Sequence, residues 1–346
     1  MRTHSLQFLP LLLAALALQT APDRLTSTTY RLTDLGTLGT PGTYSFSAAY
    51  CINAAGQIGG ISTASTIPPT SPAFLYANGK MTSLGTLGGA TAKAQGINTI
   101  GQLAGYSTLS NGHYRAFLYS NGSMINIGTL GQDYSVGYAV NASGTVVGDS
   151  QNAAGKDHAF LYSGGKMTDL GTLGGDTSTA AGINSAGQIV GYSYAADGNF
   201  RAFLYNKGSM IDLGTLGGDW SVATSINDAG QITGQAYTPG NIGANAFIYD
   251  QGKMTSIGLL GGNYSIGNSI NSSRQVVGRS TIHSNGQFLV YHAFVYSSGQ
   301  MRDLNKLIPS GTGFVLEDAT AINDSGQIVG YGTAQGQMHA FLLTPQ

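Results

Sequence analysis

Short apolar segments alternate with glycine-containing turns along almost the whole chain, and this pattern repeats. Each repeat contains four strand-like segments. In the unit centred on residue 190 they span 178–183, 188–193, 202–205 and 209–213. A period of 43 to 47 residues with four short strands predicts one β-propeller blade per unit. The most regular segment, Ala-Phe-Leu-Tyr or a close variant, starts at Ala73, Ala116, Ala159, Ala202, Ala246, Ala293 and Ala340.

Short turns join strand one to strand two and strand three to strand four. The first turn has the pattern Asn-x-x-Gly, in which the Asn side chain can bond the backbone two residues on and the Gly can adopt a positive φ. One unit has Arg274 in place of this Gly, which predicts a strained or differently shaped hairpin. Because both turns are short, each unit is predicted to be a four-stranded antiparallel meander.

Side-chain size changes across each unit. Strand one carries small residues two apart, such as Ala180 and Gly182, whereas strand three carries large rings two apart, such as Phe203 and Tyr205. Side chains two apart share a face of a strand. We therefore expect strand one to approach a neighbouring backbone closely near the axis, and strand three to fill the wider gap between blades. Cys51, the only cysteine, occupies one of the small positions and is interpreted as a small core residue.

The two ends of the repeat array are out of phase. The array begins with a strand-four segment at 30–36 and ends with a strand-three segment at 340–343. If the N-terminal strand completes the last blade, the ring closes without open array edges. The predicted fold is thus all-β, a seven-bladed β-propeller over residues 29–346 with four antiparallel strands per blade, closed by the N-terminal strand. A parallel β-helix is the competing fold, and its shorter repeats disfavour it.

The N-terminal segment predicts export. Residues 1–21 contain an apolar run followed by Ala-Leu-Ala at 15–17, the pattern of a cleaved signal peptide, and residues 22–28 form a predicted linker. An uncleaved interfacial helix is the alternative. The apolar run is shorter than the roughly 20 residues of a membrane span. We expect a secreted or periplasmic monomer whose mature chain has no membrane span.

Composition narrows the function classes. Charged residues make up only 9% of the chain, too few for the clustered Lys and Arg that bind nucleic acid. Glu317 is the only Glu, which limits catalysis by paired carboxylates. The residue before Ala-Phe is often basic, but neighbouring sheets lie too far apart, about 10 Å, for these side chains to share a metal. They are expected to bond loop carbonyls; they are Arg115, His158, Arg201, His292 and His339.

Several motifs in fixed order carry a family resemblance. His-Ala-Phe occurs at His158, His292 and His339, and Met-x-Asp-Leu-Gly-Thr-Leu-Gly-Gly begins at Met167 and Met210. With these motifs, roughly residues 30 to 346 resemble the HAF repeat family of extracellular bacterial proteins. The resemblance implies export and a repeat architecture, and it implies no catalytic residues.

One face of the predicted ring carries the sequence variation. The loops between strands two and three and between strand four and the next strand one lie on this face, and a rigid scaffold with variable loops is where ligands tend to bind. Here aromatic rings are suited to stack on a sugar, and the Asp or Asn beside them is suited to bond its hydroxyls. Alternatively, the Asp and Ser oxygens cap the loop backbone, and the rings cover blade edges. The candidate ligand-binding residues are Tyr44, Asp133, Tyr134, Asp176, Asp219, Trp220, Asn263 and Tyr264.

The sequence favours a binding or interaction module without metal, cofactor or catalytic residues, whose ligand is a glycan or a protein. One alternative is a carbohydrate-active enzyme, a hydrolase or lyase, that uses carboxylates on the same face. The other is a cell-surface structural protein without a small ligand. Asp and aromatic side chains clustered over the channel mouth would favour the enzyme, whereas dispersed ones would favour binding.

Overall fold

Seven four-stranded antiparallel sheets follow one another along the chain in a computed structural model that describes residues 28–40, 45–64, 70–284 and 289–346. The predicted signal peptide at 1–21, nearly all of the linker at 22–28, and Tyr44 lie outside these residues. The described part of the chain contains no helix with the length and apolar character to cross a membrane. Its two helices are 3-10 turns at Pro239–Asn241 and Leu304–Lys306.

The strands are numbered in chain order and grouped into blades I to VII. The N-terminal strand is β1 (Tyr30–Asp34). Blade I contains β2 (Ser47–Ile52), β3 (Ile58–Ser62), β4 (Ala73–Ala77) and β5 (Lys80–Gly85). Blade II contains β6 (Ala92–Ile97), β7 (Leu103–Thr108), β8 (Tyr114–Ser120) and β9 (Ser123–Asn126). Blade III contains β10 (Gly131–Val140), β11 (Val146–Asn152), β12 (Asp157–Ser163) and β13 (Lys166–Asp169).

The remaining blades follow the same plan. Blade IV contains β14 (Gly174–Ile183), β15 (Ile189–Ala195), β16 (Phe200–Asn206) and β17 (Ser209–Asp212). Blade V contains β18 (Ser221–Ile226), β19 (Ile232–Tyr237), β20 (Ala244–Asp250) and β21 (Lys253–Gly258). Blade VI contains β22 (Ser265–Ile270), β23 (Val276–Ser284), β24 (Leu289–Ser297) and β25 (Gln300–Asp303). Blade VII contains β26 (Phe314–Ile322), β27 (Ile328–Ala334) and β28 (Gln337–Pro345).

The N-terminal strand completes blade VII. Strand β1 pairs antiparallel with β28 in a register that runs from Tyr30 opposite Pro345 to Asp34 opposite Phe341. The Tyr30 side chain is only 2% exposed and belongs to the core of this blade. The prediction of a seven-bladed propeller closed by its N-terminal strand is confirmed.

Strand one and strand two approach each other closely in every blade. A β-bulge interrupts each strand one between its two small residues, as between Ala180 and Gly182. A Cβ on Gly191 of the facing strand would lie 1.9 Å from the Thr179 carbonyl oxygen, so that only glycine fits there. A Cβ on Gly182 would lie 3.3 Å from the Ser225 Cα of the next blade. The expected close approach of backbones near the axis is confirmed, and the bulge adds a side chain that the pattern did not predict.

The core lies between blades, where strand three places its phenylalanines. Phe117 packs against Cys51 and Ala73 of the preceding blade. Burial raises the pKa of the Cys51 thiol to about 12, as expected for a core residue. Complete burial of a Phe side chain contributes about 1.5–3 kcal/mol. The phenylalanines that are 0% exposed are Phe74, Phe117, Phe160, Phe203, Phe247, Phe294 and Phe341.

Seven buried asparagines link the blades at the turn between strands one and two. Each Oδ1 accepts the backbone N–H four residues on, at 2.9–3.1 Å. Each Nδ2 donates to the backbone carbonyl of the asparagine in the next blade, at 2.9–3.5 Å. The last bond, from Asn323 to Asn53, closes the circle. We call Asn53, Asn98, Asn141, Asn184, Asn227, Asn271 and Asn323 the Asn belt.

One local prediction is confirmed in one of its two alternatives, and another needs correction. The turn containing Arg274 has the same shape as the others, because Arg274 N–H donates to the Asn271 carbonyl as Gly230 N–H does to Asn227. Arg274 reaches this shape with φ of 61°, so the hairpin is strained rather than different. Several strand-four segments are shorter than predicted, because an Asp or Asn side chain accepts the N–H two residues on, as Asp212 does from Gly214 at 2.7 Å.

Candidate functional site

The central channel has two mouths of different character. The first, which we call the tight-turn mouth, is bounded by the turns that carry the Asn belt. The second, the loop mouth, lies at the opposite end, where side-chain contacts such as Asn241 Nδ2 to Asp219 Oδ2 at 2.7 Å join the variable loops. Between the mouths the channel is lined by the bulge residue of each strand one. These residues are Tyr50, Gln95, Tyr138, Ala181, Thr224, Asn268 and Thr320.

One cross-strand pair per blade gives the loop mouth its chemistry. It joins the residue after the strand-two glycine to the residue directly opposite in strand one. The pair differs in every blade, whereas the glycine beside it never changes. The mouth pairs are Ala48/Ile61, Lys93/Tyr106, Val136/Asp149, Thr179/Tyr192, Val222/Gln235, Ile266/Arg279 and Asp318/Tyr331.

In blade VII, Asp318 is buried among donors. Asn268 Nδ2 donates to its Oδ1 at 2.6 Å, and the Tyr331 hydroxyl donates to its Oδ2 at 3.2 Å. Arg279 Nη1 pairs with Oδ2 at 3.3 Å, and its guanidinium lies 5.0 Å from the ring centroid of Tyr291. Burial raises the pKa of Asp318 to about 6, although Arg279 acts to lower it. The cluster fixes the Arg279 guanidinium at the mouth, and its buried Nε has no hydrogen-bond partner in the part of the chain that the structure describes.

In blade III, Asp149 is buried among tyrosines. Its side chain is hydrogen-bonded by Tyr138 and Tyr134, yet burial raises its pKa to about 7, and the neighbouring Asp157 adds to the rise. The residue is only 5% exposed, and its Oδ1 has no hydrogen-bond partner among the described residues. A buried acceptor without a donor is costly unless water or a ligand supplies one.

Between blades I and III an ammonium group faces a set of tyrosines. Lys93 Nζ lies 3.5 Å from the ring centroid of Tyr50. Beside it opens a cavity of about 400 Å³ that we call the Lys93 pocket. Tyr106 and Tyr114 form part of its wall, with ring centroids 5.3 Å apart and planes at 68°. The lining residues are Lys93, Gln95, Tyr106, Tyr114, Tyr134, Val136 and Tyr138.

Two of the predicted site residues lie at this mouth. The Tyr134 ring lies 6.4 Å from that of Tyr114, in the wall of the Lys93 pocket. The Tyr264 hydroxyl donates to Gln235 Oε1 at 3.1 Å, and its ring lies 6.4 Å from that of Tyr291.

The other described candidates lie at the exposed rim. Asp133 pairs with Arg115 at 3.0 Å and Asp176 with Lys156 at 2.6 Å, so that each carboxylate links two neighbouring blades. Asp219 accepts from Asn241, and the exposed Asn263 accepts the Ala244 N–H through its backbone carbonyl. Trp220 packs on Tyr237, with ring centroids 5.3 Å apart. These residues do not converge on one site.

The basic residues before Ala-Phe are all engaged in local contacts. Arg115 and Arg201 donate to the carbonyls of Asp133 and Asp219, as predicted. The histidines instead contact strand-four carboxylates: His158 and Asp169 at 2.8 Å, His292 and Asp303 at 2.9 Å, and His339 and Asp34 at 2.8 Å. The expectation of carbonyl partners was thus wrong for histidine.

The mouth pairs were not predicted, because the sequence-based expectations rest on positions that repeat from blade to blade. Their signal is one position at which the repeat fails: strand two reads Gly-Tyr-Ser, Gly-Asp-Ser and Gly-Arg-Ser at Tyr106, Asp149 and Arg279. The constant glycine holds the backbone against strand one, and the following side chain is free to vary.

Comparison with known proteins supports the propeller fold. No known family model matches the chain, and no curated protein sequence matches it significantly. The β-propeller domain of the Trilobed protease from Pyrococcus furiosus, described as having an open velcro topology, aligns with a TM-score of 0.60 at 9% identity over 88% of this chain and 98% of that chain. In this chain, by contrast, β1 pairs with β28.

Two enzymes superpose less well. A gluconolactonase from Xanthomonas campestris gives a TM-score of 0.42 at 9% identity, over 92% of this chain and 90% of that chain. A Hadza microbial sialidase gives a TM-score of 0.47 at 9% identity, over 91% of this chain and 68% of that chain. At 9% identity, the superposition with the Trilobed protease domain is evidence for a shared fold and not for a shared activity.

Proposed function

We propose that the protein is an exported binding module whose ligand, a glycan, docks at the loop mouth. One observation carries the proposal: the loop mouth has a different pair of residues in every blade, on a scaffold that is otherwise repeated. A surface that only closed the ring would be free to repeat as the Asn belt does.

The chemistry of the loop mouth suits a polar ligand with apolar faces. Tyrosine rings supply stacking surface, while Lys93 and Arg279 supply fixed charges. Two buried polar atoms there, Gln235 Nε2 and Asp149 Oδ1, have no hydrogen-bond partner within the described ranges of the chain. Such atoms gain most from a ligand that completes their hydrogen bonds. The predicted signal peptide and the resemblance to HAF repeat proteins support export.

The test is a glycan-array screen with purified mature protein, followed by titration of the best ligand. Tyr106→Ala, which removes a wall of the Lys93 pocket, is expected to weaken binding at least about tenfold. Trp220→Ala, at the rim, is the control and should stay within about twofold. The reverse ranking would move the site to the rim, and the absence of any glycan ligand would favour a structural role.

A second candidate function, glycoside hydrolysis, is favoured by the carboxyls of Asp149 and Asp157. Asp149 has a raised pKa and lies near a second carboxyl, that of Asp157, and a general acid of a glycosidase has the same arrangement. The measurement is reducing-end release from the glycan that binds. Asp149→Asn should then abolish turnover but keep binding, whereas a bound glycan that wild type leaves intact would exclude hydrolysis of that glycan.

A further inference from the structure

The Lys93 ammonium is a partly buried charge with no counter-ion among the described residues. Its Nζ forms no side-chain hydrogen bond or ion pair with any of them, and it lies 3.5 Å from the ring centroid of Tyr50. Burial lowers its pKa to about 8. Proteins rarely bury a cation without an anion, because desolvation of the charge is costly. Here the missing anion has room to bind, since Lys93 lines a cavity of about 400 Å³.

The other walls of the Lys93 pocket indicate what kind of anion fits. Tyr106 and Tyr114 offer two ring faces, and Gln95 offers an amide. Burial raises the pKa of Tyr134 and Tyr138, so both hydroxyls stay protonated. Ring faces suit the apolar side of a pyranose, and protonated hydroxyls and an amide suit its oxygens. The volume lies within the range of small-ligand pockets.

We propose that the Lys93 pocket binds the carboxylate of an acidic saccharide, with Lys93 Nζ as its counter-ion and Tyr106 and Tyr114 as walls for the sugar ring. The inference rests on the proposed function, since it names the class of glycan that docks at the loop mouth. An acidic peptide would also supply a carboxylate, but it would leave the ring faces and the amide without a matched partner.

The charges around the pocket give this binding a pH dependence. Lys93 faces Tyr50 in blade I, Tyr106, Tyr114 and Gln95 in blade II, and Tyr138 in blade III; Asp149 and Asp157 lie behind Tyr138 and Tyr134. As pH rises, Asp149 gains negative charge near 7 and Lys93 loses positive charge near 8. Both changes disfavour a bound carboxylate. Affinity should therefore fall between pH 6 and 9.

The experiment uses trisaccharides of galacturonate, mannuronate and glucuronate, each paired with its carboxyl-reduced neutral counterpart. Calorimetric titration at pH 6 should show one acid bound at least about tenfold more tightly than its neutral pair. Lys93→Met should remove that preference without weakening the neutral sugar, and Lys93→Arg should retain it. The exposed Lys80→Met is the matched control, and unchanged circular dichroism establishes that each variant is folded.

Each contrary result separates the two proposals. Equal binding of acid and neutral sugars, or a preference that survives Lys93→Met, would overturn this inference and leave the binding module intact. Binding of acidic peptides but not saccharides through Lys93 would overturn it as well. If the protein binds no saccharide in the panel or on the array, the proposed function itself fails.

Discussion

The two mouths of the channel use the same seven blades in opposite ways. At the tight-turn mouth, the Asn belt repeats one side chain, one capping bond and one inter-blade bond around the whole ring. At the loop mouth, each blade places a different mouth pair, from Ala48/Ile61 to Asp318/Tyr331. The distance between them is a few residues of strand one. The repeated inter-blade hydrogen bonds and the variable side chains thus lie at the two ends of one strand.

The two mouths also differ in how they accommodate buried polar and charged groups. The Asn belt satisfies its buried polar groups with neutral hydrogen bonds. At the loop mouth, burial raises the pKa of Asp149 and Asp318 and lowers that of Lys93, so that the neutral form of each group is favoured. Buried groups shifted in this way reduce stability and are found preferentially at functional sites.

Breaking the Asn belt should have the largest effect on stability. Asn184→Ala removes the bonds to the Gln188 N–H at 2.9 Å and to the Asn227 carbonyl at 3.2 Å; the half-buried Gln188 N–H loses its acceptor, and the Asn227 carbonyl keeps only the bond from the Gly230 N–H. We expect a loss of about 2–4 kcal/mol in the free energy of unfolding, measured by urea denaturation. Ser185→Ala, in the same turn, is the control for loss of an exposed inter-blade bond, because the Ser185 hydroxyl donates to Asp228 Oδ2 at 2.8 Å. Glycan affinity should not change once the variant is folded; a stability loss no larger than that of the control would show that the belt does not stabilise the ring.

Removing the carboxylate of Asp149 at the loop mouth should change the free energy of unfolding less than the loss of the Asn184 bonds. The change should have the opposite sign and depend on pH. The pKa of Asp149 is raised to about 7, so the folded state keeps a proton that the unfolded state releases near pH 4. The contribution of Asp149 to wild-type stability therefore falls as pH rises from about 4 to 7 and is level above that. Asp149→Asn cannot ionise and should be more stable than wild type at pH 8 by roughly 1–3 kcal/mol, with little difference at pH 4.

The control for that experiment is Asp176→Asn. Asp176 is exposed, and a hydrogen bond from Lys156 lowers its pKa, so its replacement should give no gain at pH 8. The difference between Asp149→Asn and wild type, measured by thermal denaturation across pH 4 to 8, isolates the one carboxyl. An equal loss at both pH values would mean that Asp149 acts through its hydrogen bonds rather than through its charge.

The smallest change in stability is expected at the turn of Arg274, the one turn of the tight-turn mouth that has no glycine at its fourth position. Arg274 has φ of 61°, where equivalent turns have glycine. Arg274→Gly should stabilise the protein by up to about 1 kcal/mol, since relief of strain is offset by added freedom of the unfolded chain. It also removes an ion pair with Asp250 at 3.5 Å, which is exposed and contributes little. Gly230→Ala in the neighbouring turn should shift the urea midpoint in the opposite direction, and a shift in the same direction would exclude strain as the cause.

The fold followed from the sequence because each of its determinants repeats. The position of Tyr30 in an isolated strand-four segment predicted its place in blade VII, and Phe117 was predicted between blades. The bond from Asn184 to the next blade could not be predicted, because it depends on the curvature of the closed ring. Tyr134 and Tyr264 were assigned to the correct mouth, but Asp133 and Asp176 were not distinguishable from them, since local sequence does not show which loop side chains turn outward.

The strand-two glycine has a consequence for how such a protein diversifies. Because Gly105 and most of its equivalents are held between the strand-one backbone and the strand-three phenylalanine, the backbone stays the same while the residue that follows varies from blade to blade. In each of the seven blades, one or two codon changes are therefore enough to alter the mouth pair. Transferring Lys93 and Tyr106 to the Val222 and Gln235 positions would place the same chemistry three blades further round the ring.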